Sequence, residues 1–234
     1  MNLELFIARR IAHNGSGNRP GVMVRIAVVA VALSVTVMIL ALAVIMGFKR
    51  EITDRVTGFS AQVEVADLRS AGSIESVPVL RSEQLERTIR SAGEVVRLTP
   101  YAVKGGVVKT PDAILGVMLK GVDGGYEWSF FRDHLLEGEL PRVGDSIRTK
   151  EILISRSVAR EMGLAPGDKV EMLFVESEKS PRRDRFKVSG IYATGMDEFD
   201  RSVAMTDLRN VQRLADWSSE EVSGYEVTLA DFLQ

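Results

Sequence analysis

The hydrophobic and polar positions of this chain change rhythm after residue 46. Residues 26–46 form a run of 21 residues without charge, proline or glycine. Twelve are Leu, Ile or Val, five are Ala and two are Met. At 1.5 Å per residue, a helix of this length spans about 30 Å, the thickness of a bilayer's hydrocarbon core. Arg25 bounds the run on one side and Lys49-Arg50 on the other. Core helices of soluble proteins keep a polar stripe, and this run has none. Its only polar members, Ser34 and Thr36, can each bond back to a carbonyl one turn earlier. The pattern predicts a transmembrane helix. A cleaved leader has a shorter apolar region and a small-residue cleavage site. Met46-Gly47-Phe48-Lys49 is a poor site, so an uncleaved anchor is expected.

Small residues within the run fall on two opposed stripes. Ala27, Ala30, Ser34 and Ala41 share one side, and Ala32, Thr36 and Ala43 the other. Small residues let helices approach closely in lipid, which suggests a span wedged between neighbours. Ahead of it, residues 2–12 place Leu3, Phe6, Ile7 and Ile11 at helical spacing, with Arg9 and Arg10 to the other side. Such a segment either lies flat at the membrane interface or packs on other protein. Residues 13–21 form a polar Gly/Asn/Pro loop. Its Gly15-Ser16-Gly17 is no phosphate loop, because no strand precedes it and the chain contains no Gly-Lys-Ser/Thr.

Beyond the span the rhythm alternates between the periods of strand and helix. The helix is expected to run on to Gly58. Residues 61–66, 94–99, 101–109, 113–121, 151–155, 169–175, 186–193, 202–205 and 222–229 read as strands. A helix capped by Ser82 ends at Gly93, one over residues 156–162 ends at Gly163, and one over residues 206–215 is capped by Thr206. Residues 67–78 read as a loop, Thr110-Pro111-Asp112 as a turn, and residues 176–185 as an exposed hairpin tip centred on Pro181. Trp128, Phe130, Phe131, Leu135 and Leu136 are the densest aromatic patch and are assigned to the core. The predicted class is α+β: one N-terminal transmembrane helix followed by a two-lobed mixed α/β domain. The expected divisions are residues 1–21 as a cytoplasmic or interfacial segment, 22–48 as the span and 49–234 as the outer domain.

Composition narrows the chemistry. There is no Cys, and the two His, His13 and His134, lack metal-ligand spacing, so neither thiolate chemistry nor a zinc or Ser-His-Asp site is expected. A net charge of −2 argues against a nucleic-acid partner. Asp197, Glu198 and Asp200 form the one acidic cluster and read as a solvated loop, so no catalytic or metal site is assigned. Four basic residues precede the span closely and Lys49, Arg50 and Arg55 follow it. Under the positive-inside rule this leans toward a cytoplasmic N-terminus and an extracytoplasmic domain.

Three segments in order carry a resemblance. The first is the span followed by Gly47-Phe48-Lys49-Arg50-Glu51-Ile52. The second is Ile152-Leu153-Ile154-Ser155 with Ala159, Met162-Gly163-Leu164 and Gly167-Asp168-Lys169-Val170. The third is Phe186 to Gly190-Ile191 with Gly195, Glu198-Phe199-Asp200 and Tyr225-Glu226-Val227. Together they resemble the permease subunit of the lipoprotein-releasing ABC transporter, the LolC/LolE type, within the wider FtsX/MacB-like permeases. The resemblance implies an inner-membrane protein with a periplasmic core domain of the MacB-like type. Its function would be to release lipoproteins from the inner membrane to a periplasmic lipoprotein carrier. The implied partners are a cytoplasmic ABC ATPase subunit and a second permease copy or paralogue. ATP and Mg would be bound by that ATPase, with no cofactor in this chain and no enzymatic activity of its own.

By the same likeness Leu40, Val44, Ile45, Met46 and Phe48, at the outer end of the span, would bind lipoprotein. Lys179, Pro181, Arg182 and Arg183 stand where one permease type carries a long Pro-containing hook, and are the carrier-docking candidates; the stretch here is shorter. The resemblance also implies three further spans that the 234 residues do not contain. The sequence is then an N-terminal part, or the remainder is a separate chain. Two alternatives stay open: a non-transport signalling or scaffold module like the cell-division member of the superfamily, and a MacB-like efflux permease, a type that usually carries a fused ATPase.

Overall fold

The long apolar run lies in the middle of helix α1 (Val22–Phe59), which is 38 residues long. The computed structural model describes residues 3, 4, 6, 7, 10, 21–71, 75–110, 113–144, 147–176, 179–196 and 200–230. Residues Met1–Asp54 and Arg55–Gln234 are two separate units. In the first, Leu3, Glu4, Phe6, Ile7 and Arg10 are helical, as the spacing predicts. Through Asp54, α1 is long and apolar enough to cross a membrane, and its apolar window is wholly exposed. The expected back-bonds are present: the Ser34 hydroxyl donates to the Ala30 carbonyl at 2.9 Å and Thr36 to Ala32 at 2.8 Å. Each hydroxyl is satisfied within the helix, so neither demands a partner in lipid.

The second unit is built on one sheet of nine strands. Its order is β1 (Val63–Ala66), β11 (Gly224–Leu229), β3 (Val95–Lys109), β4 (Ile114–Val122), β9 (Val203–Asp207), β6 (Glu151–Ser155), β8 (Lys179–Tyr192) and β5 (Leu135–Gly138). β7 (Lys169–Glu176) pairs with both β3 and β8, so six strands close into a ring: β3, β4, β9, β6, β8 and β7. The ladders are antiparallel except for the parallel β4–β9 and β6–β8 pairs. Closure removes edges from these strands, leaving β1 and β5 as the ends of the sheet. Two short strands, β2 (Val79–Leu80) and β10 (Glu221–Val222), pair separately.

Among the described residues four short helices pack on this frame: α2 (Glu83–Ser91), α3 (Ser129–Asp133), α4 (Arg156–Met162) and α5 (Leu208–Leu214). Residues 68–70 add a 3-10 turn. One apolar cluster draws on all six ring strands, with Val158 and Met162 of α4 and Val211 and Leu214 of α5. A second holds Phe59, Val122, Phe131, Leu153, Tyr192 and Met205. Ile152 and Ile154 face the first and Leu153 the second. A central strand covered on both faces reads as an unbroken apolar run, which accounts for Ile152-Leu153-Ile154.

The strand–helix unit follows the sequence reading closely. Ser155 caps α4 by accepting from the Val158 N–H at 3.1 Å. Gly163 closes it at φ 64° and Gly167 turns the chain at φ 97°, left-handed values that favour glycine.

Elsewhere the structure corrects the sequence. The strands expected over residues 94–99 and 101–109 are one strand, β3, running through Pro100. The Tyr101 carbonyl accepts from Ser223 on the β11 side, which turns the Pro100 nitrogen to the other side, where β4 ends at Val122. The missing donor therefore breaks no ladder bond. α2 begins at its Ser82 cap but ends through an Ala92 N–H donated to Ile89, without a left-handed glycine. Asp207, not Thr206, caps α5, accepting from the Arg209 N–H; the Thr206 hydroxyl is buried and donates to the Glu151 carbonyl at 2.7 Å. Asp200 is not solvated: it is buried and accepts from the Thr194 hydroxyl and the N–H groups of Thr194 and Gly195. Asp197 and Glu198 lie outside the described residues, as do Pro111 and Asp112 of the expected turn.

Candidate functional site

Three places have the make-up of functional surface: the C-terminal half of the α1 run, the β7–β8 arm and a polar cluster beside the end of α1. On α1, Leu40, Val44, Ile45, Met46 and Phe48 are all exposed. At 100° per residue, Leu40, Val44 and Phe48 stack at i, i+4 and i+8 into one stripe. Ile45 lies a quarter-turn on, and Met46 falls on nearly the opposite side. The five candidates therefore make a stripe with a flank, and Met46 faces away from it.

The carrier-docking candidates sit on the arm, and the arm differs from the expected exposed tip. β7 runs to Glu176 and β8 starts at Lys179, so most of residues 176–185 are paired strand. Alternation explains the misreading. Arg183, Arg185 and Lys187 point to solvent, while Asp184, Phe186 and Val188 point inward and are buried. Charge on the outer face made a strand look like a loop. Asp184 is satisfied by Lys150.

Arg182 and Arg183 project to opposite faces of β8. Arg182 is engaged, donating to the Arg213 carbonyl at 3.2 Å and to Asp216 at 2.6 Å. Arg183 and Arg185 both approach Glu171, at 3.6 and 3.5 Å. Pro181 is exposed, and the Lys179 side chain lies outside the described residues. A cavity of about 420 Å³ beside the arm is lined by Lys109, Thr110, Glu171, Leu173 and Arg183. Of the four candidates, Pro181 and Arg183 are thus available on the arm's outer side, and Arg182 is committed to the α5 end.

The third place was missed by the sequence reading. Lys120 and Glu226 are 7% and 8% exposed and form an ion pair at 2.5 Å. The Lys120 ammonium also lies 5.8 Å from the Tyr101 ring centroid and 5.7 Å from that of Tyr126, within cation–π range. Burial, and then the charge of Glu226, push the Tyr126 phenol up, keeping it neutral. A small cavity of about 130 Å³ opens here, with Thr57, Ser60, Thr99, Tyr126, Ser129 and Glu226 among its walls. The sequence held one signal: Lys120 and Glu226 each interrupt an apolar strand, and a charge at such a position needs a partner.

Glu64 stands directly opposite Glu226 in the β1–β11 ladder. Desolvation and then the Glu226 carboxylate push the Glu64 pKa up, against a smaller pull from Lys120. A raised folded pKa gives stability that is present below the ordinary glutamate pKa and lost as pH rises through the folded value. Glu64→Gln removes that loss. It is expected to stabilise the domain by about 0.5 kcal/mol at neutral pH and by less in acid. Urea midpoints at roughly pH 4 and pH 7 check this; a variant that loses stability at neutral pH contradicts it.

Residues 26–232 match the family model described as the MacB-like periplasmic core domain. The chain belongs to this family. The resemblance read from the three segments is thereby borne out at the family level. Among curated relatives, the lipoprotein-releasing system transmembrane protein LolC of Xylella fastidiosa (strain Temecula1) is 27% identical over 199 residues, covering 81% of this chain and 45% of the relative. LolC of Neisseria meningitidis serogroup B is 26% identical over 201 residues, with the same coverage. The chain spans about half the length of these curated relatives. Among solved structures, the periplasmic region of MacB from Actinobacillus actinomycetemcomitans covers 73% of this chain and 74% of its own, at 14% identity and a TM-score of 0.45. The extracellular domain of the ABC-type transporter YknZ from Gram-positive bacteria covers 69% and 77%, at 15% identity and a TM-score of 0.45. The member of the MacB-like core family described here thus combines that domain with an N-terminal helix able to span a membrane.

Proposed function

We propose that this MacB-like core domain and its helix are the N-terminal part of an ABC-transporter permease that releases lipoproteins from the inner membrane. The observation that carries the reading is the match over residues 26–232, joined to LolC relatives that cover 81% of the chain. In this reading α1 is the first span, with its N-terminus cytoplasmic and residues 49–234 periplasmic. A separate cytoplasmic ATPase binds ATP and Mg and supplies the work. A second permease copy or paralogue completes the cavity, and a periplasmic carrier takes the cargo. The exposed stripe of Leu40, Val44 and Phe48, with Ile45 on its flank, is the acyl-chain surface; Met46 serves a neighbouring wall. A bound acyl chain is no more apolar than the lipid tails it replaces, so in this reading it is held by close packing between this stripe and the neighbouring helices that complete the cavity. The carrier contact is placed on the outer side of the arm, at Pro181 and Arg183, with Lys179 at its start and Arg182 holding the arm to the domain.

The test is photo-crosslinking from Val44 and from Met46 in the full-length permease assembled with its ATPase. Labelled triacylated lipoprotein is expected to be captured from Val44 in an ATP-dependent manner, and more weakly from Met46. Capture of phospholipid alone at both positions sinks the cavity assignment.

A further inference from the structure

The nine-stranded sheet ends in β1, and beside that end the core is left open. A groove of about 500 Å³ runs between β1, β11 and the end of α2. Its walls are mainly apolar: Val63 and Val65 of β1, Val227 and Leu229 of β11, Ile89 of α2 and Ala92 just past its end, with Glu94 the one charged residue among them. Val63 is 39% exposed. Among the described residues no strand pairs with the outer edge of β1, whose one ladder is to β11. An open sheet edge offers unpaired backbone N–H and C=O groups to an added strand. In an added strand, alternate side chains point to one face. Those sharing the face of Val63 and Val65 enter the groove. Those between them share the face of Glu64, where Glu64 and Glu226 already stand opposite each other.

We propose that this edge is a docking site for an extended peptide segment of a partner protein, with apolar residues at alternate positions and basic residues between them. The backbone of the segment extends the sheet past β1. Its apolar side chains fill the groove against Ile89 and Ala92. Its Lys or Arg side chains stand beside Glu64 and relieve the carboxylate pair, of which Lys120 serves Glu226 alone by direct contact. The charge of this edge decides among occupants. A second copy of the chain joined edge to edge would bring another Glu64-bearing strand and add like charge. An acyl chain would use the groove but ignore both the backbone edge and Glu64. A strand with cations at every second position uses all three features. This site is on the opposite end of the sheet from β5 and rests on none of the residues assigned to lipoprotein or carrier.

The experiment uses the full chain in nanodiscs of zwitterionic lipid. The probes are fluorescein-labelled Val-Lys-Val-Lys-Val and its counterpart with Glu at both Lys positions, followed by anisotropy. The lysine peptide is expected to bind about tenfold more tightly, roughly threefold for each lysine. Glu64→Lys is expected to abolish or invert that preference, and Ala92→Trp, which fills the groove from an exposed position, to weaken both peptides. Equal binding of the two peptides overturns the proposal, as does binding indifferent to Ala92→Trp. Displacement by dodecanoate without any effect of Glu64→Lys identifies an acyl-chain groove and overturns it. Dimerisation that blocks peptide binding identifies a second copy and overturns it as well. None of these outcomes bears on cross-linking from Val44, so the proposal and the transport reading fail separately.

Discussion

Lys120→Ala is expected to destabilise the folded domain by about 3–5 kcal/mol, the usual cost of stripping one partner from a buried ion pair. The loss does not come from the pair's attraction, which the desolvation of both groups largely offsets. It comes from what remains. Glu226, buried in the intact domain, would lose its ion-pair partner while Glu64 still stands directly opposite. The strand most affected is β11, which joins β1 to β3. The double variant Lys120→Met/Glu226→Leu removes both charges and keeps the volume. It is expected to recover most of the loss, because an apolar pair of similar size does as well as a buried salt bridge. Chemical denaturation of wild type, Lys120→Met, Glu226→Leu and the double variant forms a cycle. A double variant no more stable than Lys120→Ala would show that packing against Tyr101 and Tyr126, not charge, holds this site.

What the sequence could reveal was set by distance along the chain. The span is legible because its signal is continuous: 21 residues without a charge have few other readings. The unit from Ile152 to Asp168 is legible because each requirement is local. A strand, a serine cap three residues from its donor and two glycines at left-handed turns all lie within one short stretch. Ring closure is different. It depends on Val107 meeting Leu173 and Lys109 meeting Glu171, and no periodicity records which strands become neighbours. Lys120 and Glu226 are likewise far apart in sequence. The arm failed for another reason. Its inward residues Asp184, Phe186 and Val188 alternate correctly, but Asp184 is a charge, and its ion pair with the distant Lys150 helps make its burial acceptable. At α5, Thr206 and Asp207 are both good caps, and the pairing of Ile152 with Thr206 decides between them by drawing Thr206 into the ladder. The lipoprotein candidates came from the resemblance alone, and helix geometry separates the Leu40, Val44 and Phe48 stripe from Met46.

Phe131→Ala is expected to cost about 3–5 kcal/mol, as for a large aromatic removed from a packed core. Phe131 is fully buried. Its ring lies 5.1 Å from Tyr192 at 89° and 5.5 Å from Phe130 at 86°, both edge-to-face arrangements that add to simple burial. It also lies 5.7 Å from Phe59, the last residue of α1, and 5.8 Å from Trp128. Phe130 closes over Gly58 so tightly that a Cβ there would come within 2.3 Å of its ring. The aromatic patch of residues 128–131 therefore holds the final turn of α1, with Phe131 joining Phe59 to the core residues of β4, β6, β8 and β9. Removing that side chain acts twice. It opens a cavity in the smaller of the two cores, and it frees the turn 55–59 from the sheet. Phe131→Leu keeps most of the apolar volume and is expected to lose about half as much. The two consequences have different readouts. Stability follows from the unfolding midpoint. The hold on the helix follows from amide exchange at residues 55–59, which is expected to quicken in Phe131→Ala well before the ring strands exchange. Exchange that rises uniformly across the domain would mean that Phe131 supports the fold as a whole and gives the end of α1 no particular anchor.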